Sequence, residues 1–154
     1  FLAINDHNEI KRIIKSYGSQ AVVASIDYIL DDEKKYKVFL EGKKMTNINP
    51  ISLAKKLIDI GVGEIFINSV DRDGKKNGYD IDFLENFCEE INAPVIVCGG
   101  AGSWGDMYEV FSKTKCDGIA AANIFHHIEH SVYLAKDHLS KKSGKFRAPK
   151  FYYD

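Results

Sequence analysis

Pro94-Val95-Ile96-Val97-Cys98-Gly99-Gly100-Ala101-Gly102 reads as a short buried strand ending in a glycine-rich turn. Ser103-Trp104-Gly105-Asp106 behind it reads as the capping box of a helix. A second segment repeats the plan: the apolar run Glu64-Ile65-Phe66-Ile67-Asn68-Ser69-Val70 leads into Asp71-Arg72-Asp73-Gly74. Glycines at a strand-to-helix turn let backbone N–H groups approach an anion, and the helix N-terminus behind them adds partial positive charge. Two such turns after successive strands point to an α/β enzyme acting on a phosphorylated small molecule. A tight turn alone accounts for either loop taken singly.

The rest of the chain alternates in the same way. Asp6 caps a helix running through Lys15, with Ile10, Ile13, Ile14 and Tyr17 on one face and Gly18 at its end. Residues 21–27 form a near-continuous apolar run, as a strand buried on both faces requires. Residues 28–44 alternate weakly and read as a hairpin or an excursion after that strand. Asn49-Pro50 opens a helix that buries Ile51, Ala54, Leu57 and Ile58 and stops at Gly61. A helix from about Asp80 turns Phe83, Leu84, Phe87, Cys88 and Ile91 inward, and the one behind the capping box buries Met107, Val110 and Phe111. Residues 118–124 are the fourth strand, residues 129–141 the last helix, and residues 143–154 a polar, then aromatic, tail.

Strands alternating with helices imply a parallel sheet. An open doubly wound sheet would bind ligands at a topological switch point. A (β/α)8 TIM barrel binds phosphate after its seventh and eighth strands. The glycine-rich turn after the third strand and a small-residue turn after the fourth match the barrel if these are strands five to eight. A whole barrel needs roughly 200 residues or more. The 154 residues are therefore expected to be one domain, the C-terminal half of a barrel with the first half absent, and a start at Phe1 agrees. Two open sheet edges and an apolar interior should make it pair with the missing half or with itself.

Composition narrows the partners. With 45% hydrophobic residues the chain can build a core. Its 21 basic and 22 acidic residues leave a net charge of −1, without the basic excess of a nucleic-acid or membrane-surface protein. There is no apolar stretch of membrane-spanning length and no visible signal peptide. Cys88, Cys98 and Cys116 are odd in number and lack paired metal spacing, which suits reduced thiols in the cytoplasm. His126, His127 and His130 have no carboxylate or cysteine at a metal spacing, so neither a metal nor a cofactor is expected.

Six pieces in order carry a more specific likeness: residues 18–27, Gly42-Lys43-Lys44, Gly63-Glu64-Ile65, residues 69–80, Gly99-Gly100-Ala101-Gly102, and Ala121-Ala122-Asn123-Ile124-Phe125-His126. Together they resemble the C-terminal half of the cyclase subunit of imidazole glycerol phosphate synthase, the HisF family. The resemblance implies a (β/α)8 barrel that takes ammonia from a glutaminase subunit. It adds the ammonia to a phosphoribulosyl-formimino aminoimidazole carboxamide ribonucleotide, forming imidazole glycerol phosphate in histidine biosynthesis. It also implies roles. Asp27 is one of two catalytic aspartates, the other belonging to the absent half. Asp73, Gly74, Gly100, Ala122 and Asn123 form a phosphate set, mostly through backbone amides, with Asp73 bracing its loop or meeting a substrate hydroxyl. Glu64, and more weakly Gln20 with Ser19, lie at the floor where ammonia enters. Arg72 is open between phosphate ligand and an ion pair with Asp71 or Asp73.

The chain departs from the family pattern at Asn68, Cys98 and Asn123, which stand where threonine, serine and serine are usual, and the stretch after Gly42 lacks a final glycine. Residues 99–104, 121–127 and 131–136 look closer to a paralogous branch associated with amidating surface-polysaccharide sugars, in which the barrel passes ammonia to another enzyme. An inactive half-barrel is the third reading, and this chain alone is expected not to turn over.

Overall fold

The computed structural model describes residues 6–40, 44–126 and 130–150. Among the described residues, five helices, α1 (His7–Tyr17), α2 (Pro50–Ile60), α3 (Ile81–Glu90), α4 (Trp104–Lys113) and α5 (Ser131–Lys142), accompany six strands. The strands are β1 (Val23–Leu30), β2 (Tyr36–Leu40), β3 (Lys44–Met45), β4 (Glu64–Ser69), β5 (Val95–Cys98) and β6 (Gly118–Ile119). They form one sheet in the order β3-β2-β1-β4-β5-β6. The pairs β1–β4, β4–β5 and β5–β6 are parallel, and the pairs within β1-β2-β3 are antiparallel. Four parallel strands alternating with helices make the α/β half of a TIM barrel expected from the sequence.

Local chemistry sets the helix boundaries. Asp6 accepts a hydrogen bond from the Glu9 N–H at the start of α1, and Asn49 accepts from Ser52 at the start of α2 with Pro50 behind it. Gly61 ends α2 in the left-handed region at φ 108°, where its N–H donates to the Ile58 and Leu57 carbonyls. The capping box of α4 is complete: Ser103 accepts from the Asp106 N–H, and Asp106 accepts from the Ser103 N–H.

Side-chain alternation separates two faces. Ala24, Ile26 and Tyr28 of β1, Ile65 and Ile67 of β4, and Val95 and Val97 of β5 are buried, with Leu57, Leu84, Phe87 and Val110 of the helices in the same core. Each fully buried side chain of this size contributes about 1.5–3 kcal/mol. The alternate positions face away. Ser25, Phe66 and Ile96 lie in one register across β1, β4 and β5, and Asp27, Asn68 and Cys98 in the next, all exposed or half-buried. This second face is the one that becomes the interior of a barrel.

Several expectations shift in detail. The hairpin lengthens β1 to Leu30, because Tyr28, Ile29 and Leu30 pair with Val38, Lys37 and Tyr36. Asp27 therefore sits within the strand rather than at its end. Leu53, not Ile51, is buried with Ala54 and Leu57 on α2. Strand β6 covers two residues instead of seven, and residues 123–125 form a 3-10 turn. Gly42, Lys43, His127 and Glu129 lie outside the described residues. Among the described residues no helix is long and apolar enough to cross a membrane.

Candidate functional site

Turns from three strands meet in one small recess. Asp73 and Gly74 come from the loop after β4, Cys98, Gly99, Gly100 and Ala101 from the end of β5, and Ala121, Ala122 and Asn123 from the chain after β6. All five residues of the sequence-derived phosphate set are thus together. Among the described residues, the backbone N–H groups of Gly74, Gly100, Ala101, Ala122 and Asn123 donate to no protein acceptor. The neighbouring amides of Gly102 and Ser103 do not share that freedom, because both donate to the Asp106 carboxylate at 2.9 and 2.8 Å. Free amides converging from separate turns are the elementary form of an anion site.

The loops pack so closely that side chains are excluded where they touch. A Cβ on Gly100 would lie 2.1 Å from the Gly78 carbonyl oxygen, and one on Gly102 would lie 2.4 Å from that of Lys76. The Gly78 N–H donates to the Gly100 carbonyl at 2.9 Å. The Asp71 carboxylate accepts from the Leu30 N–H at 2.7 Å, fastening the loop to β1. Arg72 does not line the recess. Its guanidinium lies 3.7 Å from Asp80 and donates to the Gly78 carbonyl at 3.4 Å, so its partner is Asp80 rather than Asp71 or Asp73.

Asp27 occupies the same rim. Its Oδ1 accepts a hydrogen bond of 3.0 Å from the Asn68 amide on the adjacent strand. The Asn68 Oδ1 is buried and has no protein partner among the described residues. Cys98 stands next in register, and burial raises its thiol pKa; the Gly99 N–H opposes the rise, while the charges of Asp73 and Asp27 add to it. The thiol thus stays protonated at neutral pH. The half-buried Glu64 begins β4 at the other end of the sheet, opposite Val23, and Gln20 lies exposed in the 3-10 turn before β1. Among the described residues no group of His, Cys, Asp and Glu is arranged to hold a metal ion.

Asp80 and Tyr36 were not picked out in the sequence. Asp80 is 8% exposed and accepts from the Tyr36 hydroxyl at 3.4 Å. Burial pushes its carboxyl pKa up, against the lowering effect of Arg72, and pushes the Tyr36 phenol up to about 12. An aspartate whose folded-state pKa exceeds its unfolded one holds its proton more tightly in the native chain. Ionised Asp80 therefore costs native stability at neutral pH, and that cost fades as pH falls through the carboxylate range. Asp80→Asn is expected to gain stability relative to wild type as pH rises from about 3 to about 7. Urea melts at the two pH values check the order, and the reverse order would mean that Arg72, not burial, governs the group.

Comparison with known proteins agrees with this geometry. The profile of the histidine biosynthesis protein family matches residues 2–131. The imidazole glycerol phosphate synthase subunit HisF of Pelodictyon phaeoclathratiforme is 43% identical over 141 residues, 91% of this chain and 56% of that protein. HisF of Chlorobium chlorochromatii is 41% identical over 94% of this chain and 58% of its own length, and HisF of Lactococcus lactis subsp. cremoris is 38% identical over 90% and 54%. The chain spans about half the length of these relatives. A parallel half-barrel with a three-turn recess beside a strand-borne aspartate, matched by that profile over most of its length, belongs to the histidine biosynthesis protein family.

Proposed function

We propose that this chain is the phosphate-gripping half of an imidazole glycerol phosphate synthase cyclase. The observation that supports this most directly is the recess itself: five open backbone amides from three turns, on the same rim as Asp27. One phosphate of the substrate sits on Gly74, Gly100, Ala122 and Asn123, with Asp73 at the mouth toward a substrate hydroxyl. Backbone donors suit this work because they are fixed before the anion arrives and lose little freedom on binding.

Asp27 then acts on the bound substrate as acid–base catalyst. The Asn68 amide holds one of its oxygens, which leaves the other to exchange protons with the imine nitrogen and sugar carbons during ring closure. A second carboxylate, on the opposite face, comes from the half-barrel that completes the cylinder. Ammonia from a glutaminase subunit enters at the far end of the sheet, past Glu64 and Gln20. The edge of β6, and the part of β1 before Tyr28 that β2 leaves unpaired, take up the complementary half-barrel. The names of the relatives favour this cyclase over the glycan-amidation branch.

Complementation tests the proposal. A histidine auxotroph lacking its own cyclase should grow on this chain co-expressed with the first half of the Pelodictyon relative. Asp27→Asn should abolish growth, since loss of a positioned acid–base group costs about 10²–10⁴-fold in rate. A folded, paired protein that fails to support growth points to ammonia delivery for glycan amidation instead.

A further inference from the structure

We infer that Tyr79 is a positioning residue for the anion recess, its hydroxyl fastening the turn after β6 to the two turns on the other side. This rests on the phosphate reading above and adds to it the device that holds the recess in shape.

Strand β6 pairs through only Gly118 and Ile119. Beyond it the Ala120 N–H donates to the Val97 carbonyl at 2.8 Å, and the Tyr79 hydroxyl donates to the Ala120 carbonyl at 2.8 Å. The next three residues, Ala121, Ala122 and Asn123, are the third wall. Position 79 is well placed to set that wall, because its neighbour Gly78 is already bonded to Gly100 in the second wall. Adjacent residues of one loop thus grip two different walls, and the loop itself supplies the first through Asp73 and Gly74.

The side chain argues the same way. Tyr79 is 4% exposed. Burial raises its phenol pKa, so the hydroxyl is a donor at every physiological pH. A phenylalanine would fill the same space; the hydroxyl is explained by the Ala120 carbonyl, which lies where the ladder has ended. Without that bond the third wall loses its tie to the first two, and the amides of Ala122 and Asn123 no longer hold still for an anion.

Inorganic phosphate titrated into the chain and followed by amide NMR is the test. In wild type the Gly74, Gly100, Ala122 and Asn123 signals should move together. Tyr79→Phe should weaken phosphate binding about tenfold, the value of one well-placed hydrogen bond. Thr114→Val is the control: it deletes a hydroxyl that donates at 2.8 Å to the Val110 carbonyl, away from the recess. It should lower stability and leave phosphate affinity unchanged. Equal weakening in both variants would make Tyr79 merely structural, and unchanged affinity in Tyr79→Phe would overturn the role outright. Should that variant not fold, wild type decides alone: the Ala120 carbonyl and Tyr79 ring signals must follow the Gly100 midpoint, and still signals overturn the inference. Wild type without phosphate shifts at these amides would defeat the anion-site reading itself, a distinguishable result.

Discussion

Gly100→Ala is expected to destabilise the folded chain by about 3–5 kcal/mol and to abolish phosphate binding at the recess. Two costs combine. Gly100 has φ +107°, a conformation L-residues rarely adopt, at roughly 1–3 kcal/mol for a strained backbone. The new methyl group would also lie 2.1 Å from the Gly78 carbonyl oxygen and 2.8 Å from its carbon. Both are backbone atoms and cannot rotate aside, so the loops must separate and the Gly78–Gly100 hydrogen bond must break. Overpacking of this kind adds about 1–3 kcal/mol. Gly144→Ala is the contrast: nothing lies within 4 Å of a Cβ there, and the change should stay within about 0.5 kcal/mol. Urea unfolding and phosphate titration of the two variants check the pair. A Gly100→Ala chain that keeps wild-type affinity would show that the two turns need not touch.

That contact explains what the sequence could and could not announce. Asp6, Asn49-Pro50, Gly61 and the Ser103–Asp106 box act within a few residues, so the helix starts and stops could be read from the chain. The recess was legible for a related reason: each wall follows a strand, two of them rich in small residues and the third carrying Gly74. Strand β6 was over-extended because Ala120, Ala121 and Ala122 suit both a buried strand and a turn against an anion, and small size alone does not separate them. Asp27 was placed at a strand end because the partner that lengthens β1 is the weakly patterned β2. The bonds from Tyr79 to Ala120 and from Asn68 to Asp27 each span 41 residues, and periodicity carries no sign of such pairings. For Arg72, the neighbouring aspartates suggested partners; the fold instead brings up Asp80, because the loop doubles back at Gly78.

The other large effect is expected from Phe83→Ala, at about 3–5 kcal/mol of stability. Phe83 is 4% exposed, and its ring lies 4.3 Å from Tyr28, 4.2 Å from Tyr36 and 5.6 Å from Phe87. It joins the start of α3 to both strands of the hairpin, so truncation leaves a cavity between elements that local relaxation cannot close. Phe111, half-buried with its ring tilted at 55° and 4.4 Å from that of Phe146, should lose less on the same change. The consequence also reaches the site. Tyr36 leans on Phe83 and donates to Asp80, which pairs with Arg72 beside Gly78, and Gly78 holds Gly100. Hydrogen exchange should therefore quicken across β2 and the loop between β4 and α3, while α1, remote from the ring cluster, keeps its protection. Phe83→Leu restores most of the volume without the aromatic edges and should recover more than half of the loss. If α1 and β2 lose protection together in Phe83→Ala, the chain unfolds as one unit, and the hairpin is not a separately yielding brace behind the recess.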